Sequence, residues 1–513
     1  MMTVSLALSF SCGVRTIVAE KNPDWHKLAG RLRPDTEHFI DGSLRASVDG
    51  RVFEDISPAT GNVHAEVARG SRKDIDLAVA AASKSFGQWS QVAPRERMRI
   101  LFDFADLIEK DAHNLALMDT LDMGMPINNM FKMEVPEAAD IFRFFAETID
   151  KIKGDVTRTD GSAFNYILRE PMGVVAAVTP WNFPLTQASG KVAPALAAGN
   201  TVILKPSEES PLSATRMAKL FVEAGGPPGV FNVVNGYGKE AGKALAKHMD
   251  VAKIAFTGSV AVGRKMMIYA GKSNLKHVST ELGGKSPQIV LADVDDLDYA
   301  VECAMHGIYG NAGQVCNAAS RMLVHDSVHD QFVARLTELT PKNYEAGDPL
   351  DPDTTMGPLV SQRQQLTVFE YLASGQEEGA KLVFGGHAPE ALKGGFFIEP
   401  SLFTDVSNNM RIAQEEIFGP VASVIRFHSN EEAIRLANDT IYGLTASIFT
   451  RNLSTAHSLA RDIQAGVVWL NTMNETDMTV PWGGVKQSGT GRDNCISTMY
   501  EYLQTKDVWT RIS

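Results

Sequence analysis

A single cysteine, Cys316, is the residue of this sequence best placed for nucleophilic chemistry. No large side chain stands within 313–318, so a reactant could approach its sulfur closely. Only a thiolate is a good nucleophile, and a free thiol is mostly protonated at neutral pH. A base or a positive electrostatic environment must therefore assist it. Glu281, beside two glycines and thirty-five residues upstream, supplies a carboxylate, and we expect the two segments to meet in one pocket.

A second candidate, Asn182, follows the first apolar run of a region in which strands and helices alternate. Its side-chain amide could hold a developing oxyanion, a role that amide donors commonly fill. Asparagine after a strand is also a frequent turn former. The residue alone leaves both interpretations open.

A glycine-rich turn at 256–263 is the better of two candidate cofactor sites. A strand is predicted to end at Phe256 and a helix to begin near Val260, with Gly258, Ser259 and Gly263 in and after the turn. Free N–H groups at a helix start favour a pyrophosphate. By spacing alone, an ordinary strand–helix turn is equally consistent. The rival segment 236–242 has a last gap one residue too long for a dinucleotide fingerprint.

Three polar residues follow another predicted strand, at the edge of the sheet where ligands bind. Lys205 could approach an adenosine ribose or phosphate. Glu208, close to Ser207, could accept hydrogen bonds from ribose hydroxyls and would repel a 2′-phosphate. A solvated charged turn is the alternative interpretation.

Two histidines, His325 and His329, stand four residues apart, but the glutamate of a zinc-protease motif is absent. Helix capping explains them better, and we assign no metal.

The surrounding elements predict an α/β fold with a parallel sheet covered on both faces. Ser71 with Asp74 begins one helix as a capping box, and Ser210 is predicted as an N-cap with Pro211 at the first helical position. Segments 163–169 and 502–512 read as extended, and could form either an arm between subunits or an ordinary hairpin. Strands are predicted at 174–178, 201–204, 230–234, 253–256 and 288–291, and in a second region at 322–324, 422–427, 445–449 and 466–470.

Composition excludes several classes of protein. The 513 residues carry a net charge of −12, which argues against nucleic-acid partners and anionic membrane surfaces. Four scattered cysteines indicate reduced thiols in the cytoplasm, and no apolar run is long enough to cross a membrane. No Lys or Arg precedes the apolar stretch 4–10, so we expect residues 1–22 to be a flexible tail rather than a secretory signal.

Seven segments, in this order, make residues 25–510 similar to the aldehyde dehydrogenase superfamily. Each is a modest signal, and their common order makes the resemblance specific. The segments are 180–184 (PWNFP), 205–208 (KPSE), 256–259 (FTGS), 281–285 (ELGGK), 313–316 (GQVC), 415–420 (EEIFGP) and 481–484 (PWGG).

The resemblance implies a mechanism. Cys316 would attack an aldehyde, Asn182 and the Cys316 N–H would hold the oxyanion, and Glu281 would activate water to hydrolyse a thioester. The base at 281 favours hydrolysis over transfer to coenzyme A, and Glu208 favours NAD, with NADP as the alternative. The remaining cofactor residues would be Trp181, Lys205, Ser207, Gly258, Ser259, Gly263, Leu282, Glu416 and Phe418.

The resemblance also implies an architecture of three units and a homodimer or homotetramer. The fold is expected to combine a Rossmann-like NAD-binding domain, an α/β catalytic domain and a small β oligomerisation arm. These units would comprise 23–152 with 172–284, then 285–482, and then 153–171 with 483–513.

The substrate is predicted from segments 474–481 and 489–493, which are most similar to bacterial enzymes of ω-amino or γ-glutamylamino aldehydes. Glu475 or Asp477 at a tunnel mouth could favour an amino group, although a solvated acidic loop is an equal alternative. Gly190 replaces an aromatic residue of many relatives and predicts a wider tunnel, and Asp493 replaces a glutamate. A broad aliphatic or aromatic aldehyde dehydrogenase, a cysteine hydrolase and a non-catalytic binding protein remain alternatives.

Overall fold

Two large sheets account for the alternation of strands and helices in the sequence. The computed structural model describes residues 23–512, so the predicted tail 1–22 lies outside the described residues. The first sheet has eight strands, of which the central run is parallel. Its order is Gly489–Thr490, His277–Leu282, Val251–Gly258, Val174–Val178, Thr201–Lys205, Phe231–Val233, His38–Ile40 and Ser43–Arg45.

The second sheet has seven strands, all parallel except one at its edge. Buried aliphatic and aromatic side chains cover both faces of each sheet, which confirms the predicted α/β class. The order of the second sheet is Lys381–Phe384, Ser401–Thr404, Val421–Phe427, Arg321–His325, Pro287–Val290, Thr445–Phe449 and Val467–Leu470.

One parallel strand of the first sheet, His277–Leu282, is absent from the sequence prediction. Its residues are mostly polar, so no apolar run marks it. It forms because Val251–Gly258 offers a parallel partner along its whole length. Glu281 lies on this strand, so the missed element is the one that positions the predicted base.

A separate three-stranded sheet contains the two extended segments that the sequence leaves open. Strand Ala163–Pro171 pairs antiparallel with Leu503–Arg511 of the same chain, and Val156–Thr157 adds a short third strand. Phe164 and Trp509 on this sheet are exposed. Its role as an arm between subunits stays a prediction, as do the domain boundaries. A fourth, two-stranded sheet joins Val52–Ile56 to Val63–Ala68.

The helix beginning at Leu212 differs by one residue from the prediction. Pro211 occupies the N-cap rather than the first helical position, and the Ser210 hydroxyl has no hydrogen-bond partner among the described residues. The cause lies in another helix, because Asp122 Oδ2 accepts the Leu212 N–H at 3.1 Å and satisfies that donor instead.

The other predicted caps agree with the structure. Asp74 accepts a hydrogen bond from the Ser71 N–H at 2.7 Å, and His325 caps a helix through the Ser327 N–H.

Within residues 23–512 no helix is long and apolar enough to cross a membrane. The α-helices are Trp25–Ala29, Arg72–Trp89, Pro94–Lys110, Ala112–Met123, Ile127–Asn129, Val135–Thr148, Pro184–Ala197, Leu212–Glu223, Lys243–Lys247, Val260–Gly271, Leu297–Tyr309, Asp326–Asn343, Gln362–Glu377, Arg411–Gln414, Asn430–Asn438, Leu453–Asp462 and Cys495–Tyr500, with π-helical turns at Met130–Glu134 and Gly238–Gly242 and 3₁₀ turns at Ile149–Lys151, Gly310–Gly313, Glu390–Leu392 and Lys486–Ser488.

Candidate active site

The loop that carries Cys316 bends sharply where the preceding helix ends. Asn311, Ala312 and Gly313 have positive φ angles of 46°, 52° and 71°. Left-handed backbone is strained for residues with a Cβ, and such strain gathers at functional sites. At Gly313 a Cβ would lie 2.1 Å from the carbonyl oxygen of Gly419, so only glycine fits. The bend leaves Cys316 half-buried with a free thiol.

Asn182 is buried against this loop and fixed by two hydrogen bonds. Its Nδ2 donates to the carbonyl oxygen of Gln314 at 2.9 Å, and Asn311 Nδ2 donates to the Asn182 carbonyl at 3.0 Å. An amide nitrogen carries two hydrogens, so one remains for a ligand. Asn311 is a residue that the sequence analysis misses, because its function depends on a bend that no local pattern announces.

Glu281 lies between two strands, opposite Thr257 on one side and Gly489 on the other. Its carboxylate is buried, and Oε1 has no hydrogen-bond partner among the described residues. Three residues further on, a Cβ at Gly284 would lie 2.5 Å from the carbonyl oxygen of Cys316. The strand end that follows Glu281 therefore packs directly against the cysteine loop.

The two reactive groups influence each other electrostatically. Burial, followed by the charge of Asp493, raises the pKa of Glu281 to about 8, and Lys191 opposes this rise. Lys191 forms an ion pair with Asp493, and no sequence pattern predicts this lysine. Burial, followed by the charges of Glu281 and Glu416, raises the pKa of Cys316 above its ordinary value. The thiol is therefore protonated at neutral pH, while Glu281 titrates in the range useful to a general base.

Several of the predicted cofactor residues lie at one edge of the first sheet. Val178 is in register with Lys205 and with Phe256, so the carboxyl ends of these parallel strands are level. Gly258 is likewise in register with Leu282 on the next strand. This edge is where open parallel sheets bind their ligands.

The glycine-rich turn forms a tight cradle at this edge. A Cβ at Gly258 would lie 2.6 Å from the ring of Phe256, and one at Gly263 would lie 2.6 Å from Leu282 Cδ2. Ser259 caps the helix that follows, accepting the Val262 N–H at 3.4 Å. The remaining free N–H groups of this helix start fit a pyrophosphate, so the observed residues fit a dinucleotide.

The charged turn that follows strand Thr201–Lys205 contains an ion pair between Lys205 and Glu208. Buried Lys205 donates from Nζ to Glu208 Oε2 at 3.0 Å. Burial would raise the pKa of Glu208, but the Lys205 cation outweighs it and holds the pKa below its ordinary value. Ser207 Oγ accepts the Glu209 N–H at 3.2 Å. Glu208 is therefore an ionised acceptor held in one place.

Two aromatic rings and a carboxylate lie beside the segments that contact the cysteine loop. The rings of Trp181 and Phe418 meet edge to face, with centroids 5.3 Å apart, and Phe418 has a φ of 57°. Glu416 Oε1 accepts the Gly284 N–H at 3.3 Å, next to the loop of Cys316. Burial raises the pKa of Glu416 to about 7, with Gly284 and Lys285 opposing.

A cavity of about 250 Å³ opens onto Cys316. Its wall carries the carboxylates of Glu134, Glu137 and Asp493, and the described lining residues include no Lys or Arg. Glu281 is not part of this wall, so its side chain must turn to reach an acyl group on the sulfur. The cavity wall therefore combines three carboxyl groups with apolar side chains such as those of Met125, Ile141 and Phe183.

The carboxylates that the sequence places at the tunnel mouth are absent from this wall. Residues 474, 476 and 478 line the cavity, whereas Glu475 and Asp477 are exposed and do not line it. Asp477 instead accepts the Thr479 N–H at 2.7 Å. The acidic residues on the cavity wall include Glu134 and Glu137 instead. Their spacing of three residues at a helix start is the signal that sequence reasoning overlooked.

Gly190 lies on the cavity wall, within helix Pro184–Ala197. A Cβ at this position would meet no atom within 4 Å. The wall is therefore open here, in line with the width that the sequence predicts.

Comparison with known proteins decides the family. The sequence model described as "Aldehyde dehydrogenase family" matches residues 45–508. The chain belongs to the aldehyde dehydrogenase family. The NADP/NAD-dependent aldehyde dehydrogenase PuuC of Escherichia coli is 46% identical over 487 residues, which cover 94% of this chain and 97% of that protein.

Solved structures agree with this assignment. The gamma-glutamyl-gamma-aminobutyraldehyde dehydrogenase of Burkholderia cenocepacia superimposes with a TM-score of 0.93 at 47% identity, covering 96% of this chain and 99% of that one. An indole-3-acetaldehyde dehydrogenase in complex with NAD+ gives a TM-score of 0.94 at 47% identity, covering 95% and 99%. The fold, the family and the expected cofactor class thus agree with the sequence prediction.

Proposed function

We propose that the chain oxidises an amino- or γ-glutamylamino-aldehyde to the carboxylic acid with NAD. The observation that carries the proposal is the cavity that opens onto Cys316, whose wall has carboxylates and, among the described residues, no Lys or Arg. An ammonium group gains from such a wall, because charge-assisted hydrogen bonds are the strong ones. The two relatives named above for aminoaldehyde-type chemistry and for NADP/NAD use support the same substrate and cofactor class.

The cofactor residues divide by the part of a dinucleotide they would hold. NAD, when bound, takes the hydride that leaves the substrate. Gly258, Ser259 and the helix after them would receive the pyrophosphate, and Lys205 with Glu208 the adenosine ribose. The remaining contacts would come from Trp181, Ser207, Gly263, Leu282, Glu416 and Phe418.

The catalytic residues act in two stages. Cys316 Sγ passes its proton to water and bonds to the aldehyde carbon, and the carbonyl oxygen becomes an oxyanion that the Asn182 amide and the Cys316 N–H hold. Oxidation leaves a thioester on the sulfur. Glu281 then takes a proton from water, whose oxygen bonds to the acyl carbon as the C–S bond breaks. A buried carboxylate with a raised pKa suits this step, and its presence favours hydrolysis over transfer to coenzyme A.

Glu137 is expected to determine the preference for an amino group. Glu137→Gln should raise the KM for 4-aminobutanal by about tenfold or more, since a hydrogen bond to a charged group is worth roughly 1.5–3 kcal/mol. Its neighbour Glu134 is buried and accepts a hydrogen bond from Thr186 Oγ1 at 2.8 Å, and Asp493 is paired with Lys191, so Glu137 is the exposed carboxyl group of the three. Steady-state NADH formation with 4-aminobutanal and with butanal measures the effect, and butanal should respond less than twofold.

The matched control is the double variant Glu475→Gln, Asp477→Asn. It removes more negative charge from the neighbouring loop, but from exposed side chains that do not line the cavity. The ratio of the two KM values should not change in this control. A larger shift in the control than in Glu137→Gln would contradict the assignment.

A broader aldehyde dehydrogenase is the second candidate, and the open wall at Gly190 favours it. A bulky aromatic aldehyde would fit a cavity that lacks a ring at this position, and a solved relative at 47% identity is named for indole-3-acetaldehyde. The two candidates therefore differ in whether charge or volume selects the substrate.

A panel of aldehydes, each with NAD and with NADP, separates the candidates. We expect kcat/KM to be highest for amino aldehydes and to be at least tenfold higher with NAD, because ionised Glu208 would repel a 2′-phosphate. Higher values for indole-3-acetaldehyde than for every amino aldehyde would establish the second candidate. Equal use of NADP would contradict the role of Glu208.

A further inference from the structure

A pair of side-chain amides beside the nucleophile joins two loops of the active site. Asn317 Nδ2 donates a hydrogen bond to Asn474 Oδ1 at 2.7 Å, and both residues line the cavity that opens onto Cys316. Asn317 is 7% exposed and directly follows the nucleophile, whereas Asn474 belongs to the loop 471–482. Breaking this bond would leave a buried polar group unsatisfied, so the side chain of Asn317 is held in one place.

The loop 471–482 is itself fixed, so it can serve as a support. At its start, Asn471 Oδ1 accepts the Thr450 N–H and Asn471 Nδ2 donates to the Thr450 carbonyl, both at 2.9 Å. Asn474 has a φ of 62°, a left-handed conformation that asparagine tolerates better than most residues with a Cβ. The backbone around Asn474 therefore sets the position of the acceptor that Asn317 uses.

The sulfur of Cys316 needs hydrogen-bond donors, because its surroundings disfavour the thiolate. Burial, followed by the charges of Glu281 and Glu416, raises the pKa of the thiol, and the backbone N–H groups of Asn317 and of Cys316 itself oppose this rise. The Cys316 N–H is expected to hold the oxyanion. As the thioester breaks down, negative charge moves from that oxyanion to the departing sulfur, and the Asn317 N–H is then the donor next to the sulfur.

We propose that Asn474 is a positioning residue for the nucleophile, which fixes the Asn317 side chain and thereby holds the Asn317 N–H towards the Cys316 sulfur. This role rests on the proposed function of Cys316, and it concerns the reactivity of the sulfur rather than the choice of substrate. A donor that is already oriented stabilises a developing charge without the cost of reorganisation. The two amides are 157 residues apart in the chain, so no local pattern joins them.

Alkylation of Cys316 by iodoacetamide tests this role without aldehyde or cofactor, and so separately from the dehydrogenase activity. Asn474→Leu nearly keeps the volume of the side chain but cannot accept the hydrogen bond. A rise of one unit in the thiol pKa lowers the thiolate population and partly raises its nucleophilicity, so the rate at neutral pH should fall at least about threefold. The pH profile should move to higher pH. Mass spectrometry of the peptide that contains Cys316 measures the rate.

A double variant separates one shared role from two independent ones. Asn317→Ala should slow alkylation as Asn474→Leu does, and the double variant should be no slower than the slower single variant, because both amides act through one bond. The matched control is Thr472→Ala in the same loop, whose hydroxyl is 3.4 Å from Glu475 and whose loss should leave the rate unchanged. Single effects that multiply in the double variant, or an equal loss in Thr472→Ala, would overturn the proposal.

Steady-state kinetics distinguish a positioning residue from one that contacts the substrate. In Asn474→Leu, kcat/KM should fall by the same factor for butanal and for 4-aminobutanal, because the change acts on the sulfur. A fall confined to 4-aminobutanal would show that Asn474 binds the amino group instead, and would overturn the proposal.

Diffraction from the unmodified enzyme decides the question if the variants fail to fold. Hydrogen-bond distances from Asn317 Nδ2 to Asn474 Oδ1 and from the Asn317 nitrogen to Cys316 Sγ would support the positioning role. The absence of either contact would overturn it.

Discussion

Replacing Cys316 by alanine is expected to reduce aldehyde-dependent NADH formation by about 10⁴-fold or more, the usual scale when a covalent nucleophile is removed. The reason is that the thiol is the free nucleophilic group on the cavity wall, with the Asn182 amide fixed two residues from it through Gln314. Absorbance at saturating NAD and aldehyde measures the rate. NAD affinity should change less than threefold, because the proposed cofactor contacts do not include the sulfur.

Cys303→Ala is the matched control for this prediction. Cys303 is a second free cysteine, buried among aliphatic side chains, and burial raises its pKa to about 11. Its loss should leave kcat within twofold. A Cys316→Ala protein that still oxidises aldehydes at a tenth of the original rate would refute the covalent mechanism. Ester hydrolysis that is retained without Cys316 would show that another nucleophile is present.

The sheet cores could be predicted from the sequence because their strands are fully buried. Val174–Val178 is a continuous apolar run, Thr445–Phe449 is fully buried although it includes two hydroxyl residues, and both have the predicted bounds. The catalytic candidates could be predicted because small residues surround Cys316 and Glu281, and a thiol or carboxylate in such a setting has few structural uses. The position of these candidates at the carboxyl ends of parallel strands then follows from the fold class.

The rest depends on tertiary contacts that leave no local pattern. Strand His277–Leu282 is polar and exists because it has a partner strand. Lys191 reaches Asp493 across more than three hundred residues, and Glu137 lines the cavity on a helix that directly follows the π-helical turn Met130–Glu134. Neither Glu475 nor Asp477 lines the cavity, whereas residues 474, 476 and 478 do, so acidity alone does not identify the lining side chains of this loop.

Glu281→Gln is expected to separate the two stages of the reaction. The amide keeps the size of the side chain but cannot take a proton from water, and loss of a general base typically costs roughly 10²–10⁴-fold. The first turnover should still give a burst of NADH equal to one equivalent per active site, followed by a steady state at least about 10²-fold slower. Stopped-flow absorbance measures both phases, and mass spectrometry of the quenched enzyme should show an acyl group on Cys316.

The pH dependence of the same step provides the sharper test. A base works when deprotonated, and the pKa of Glu281 is raised to about 8 by burial and by the charge of Asp493. The steady-state rate of the unmodified enzyme should therefore rise with pH through about 8 and level off above it. Glu281→Gln should lose this limb. Asp493→Asn should move it to lower pH, because the variant removes a negative charge that opposes ionisation and leaves the Lys191 cation, which favours it. If Glu281→Gln lost the burst as well as the steady-state rate, Glu281 would be needed before the thioester forms. If the rise of rate with pH stayed in place in Asp493→Asn, another group would be titrating.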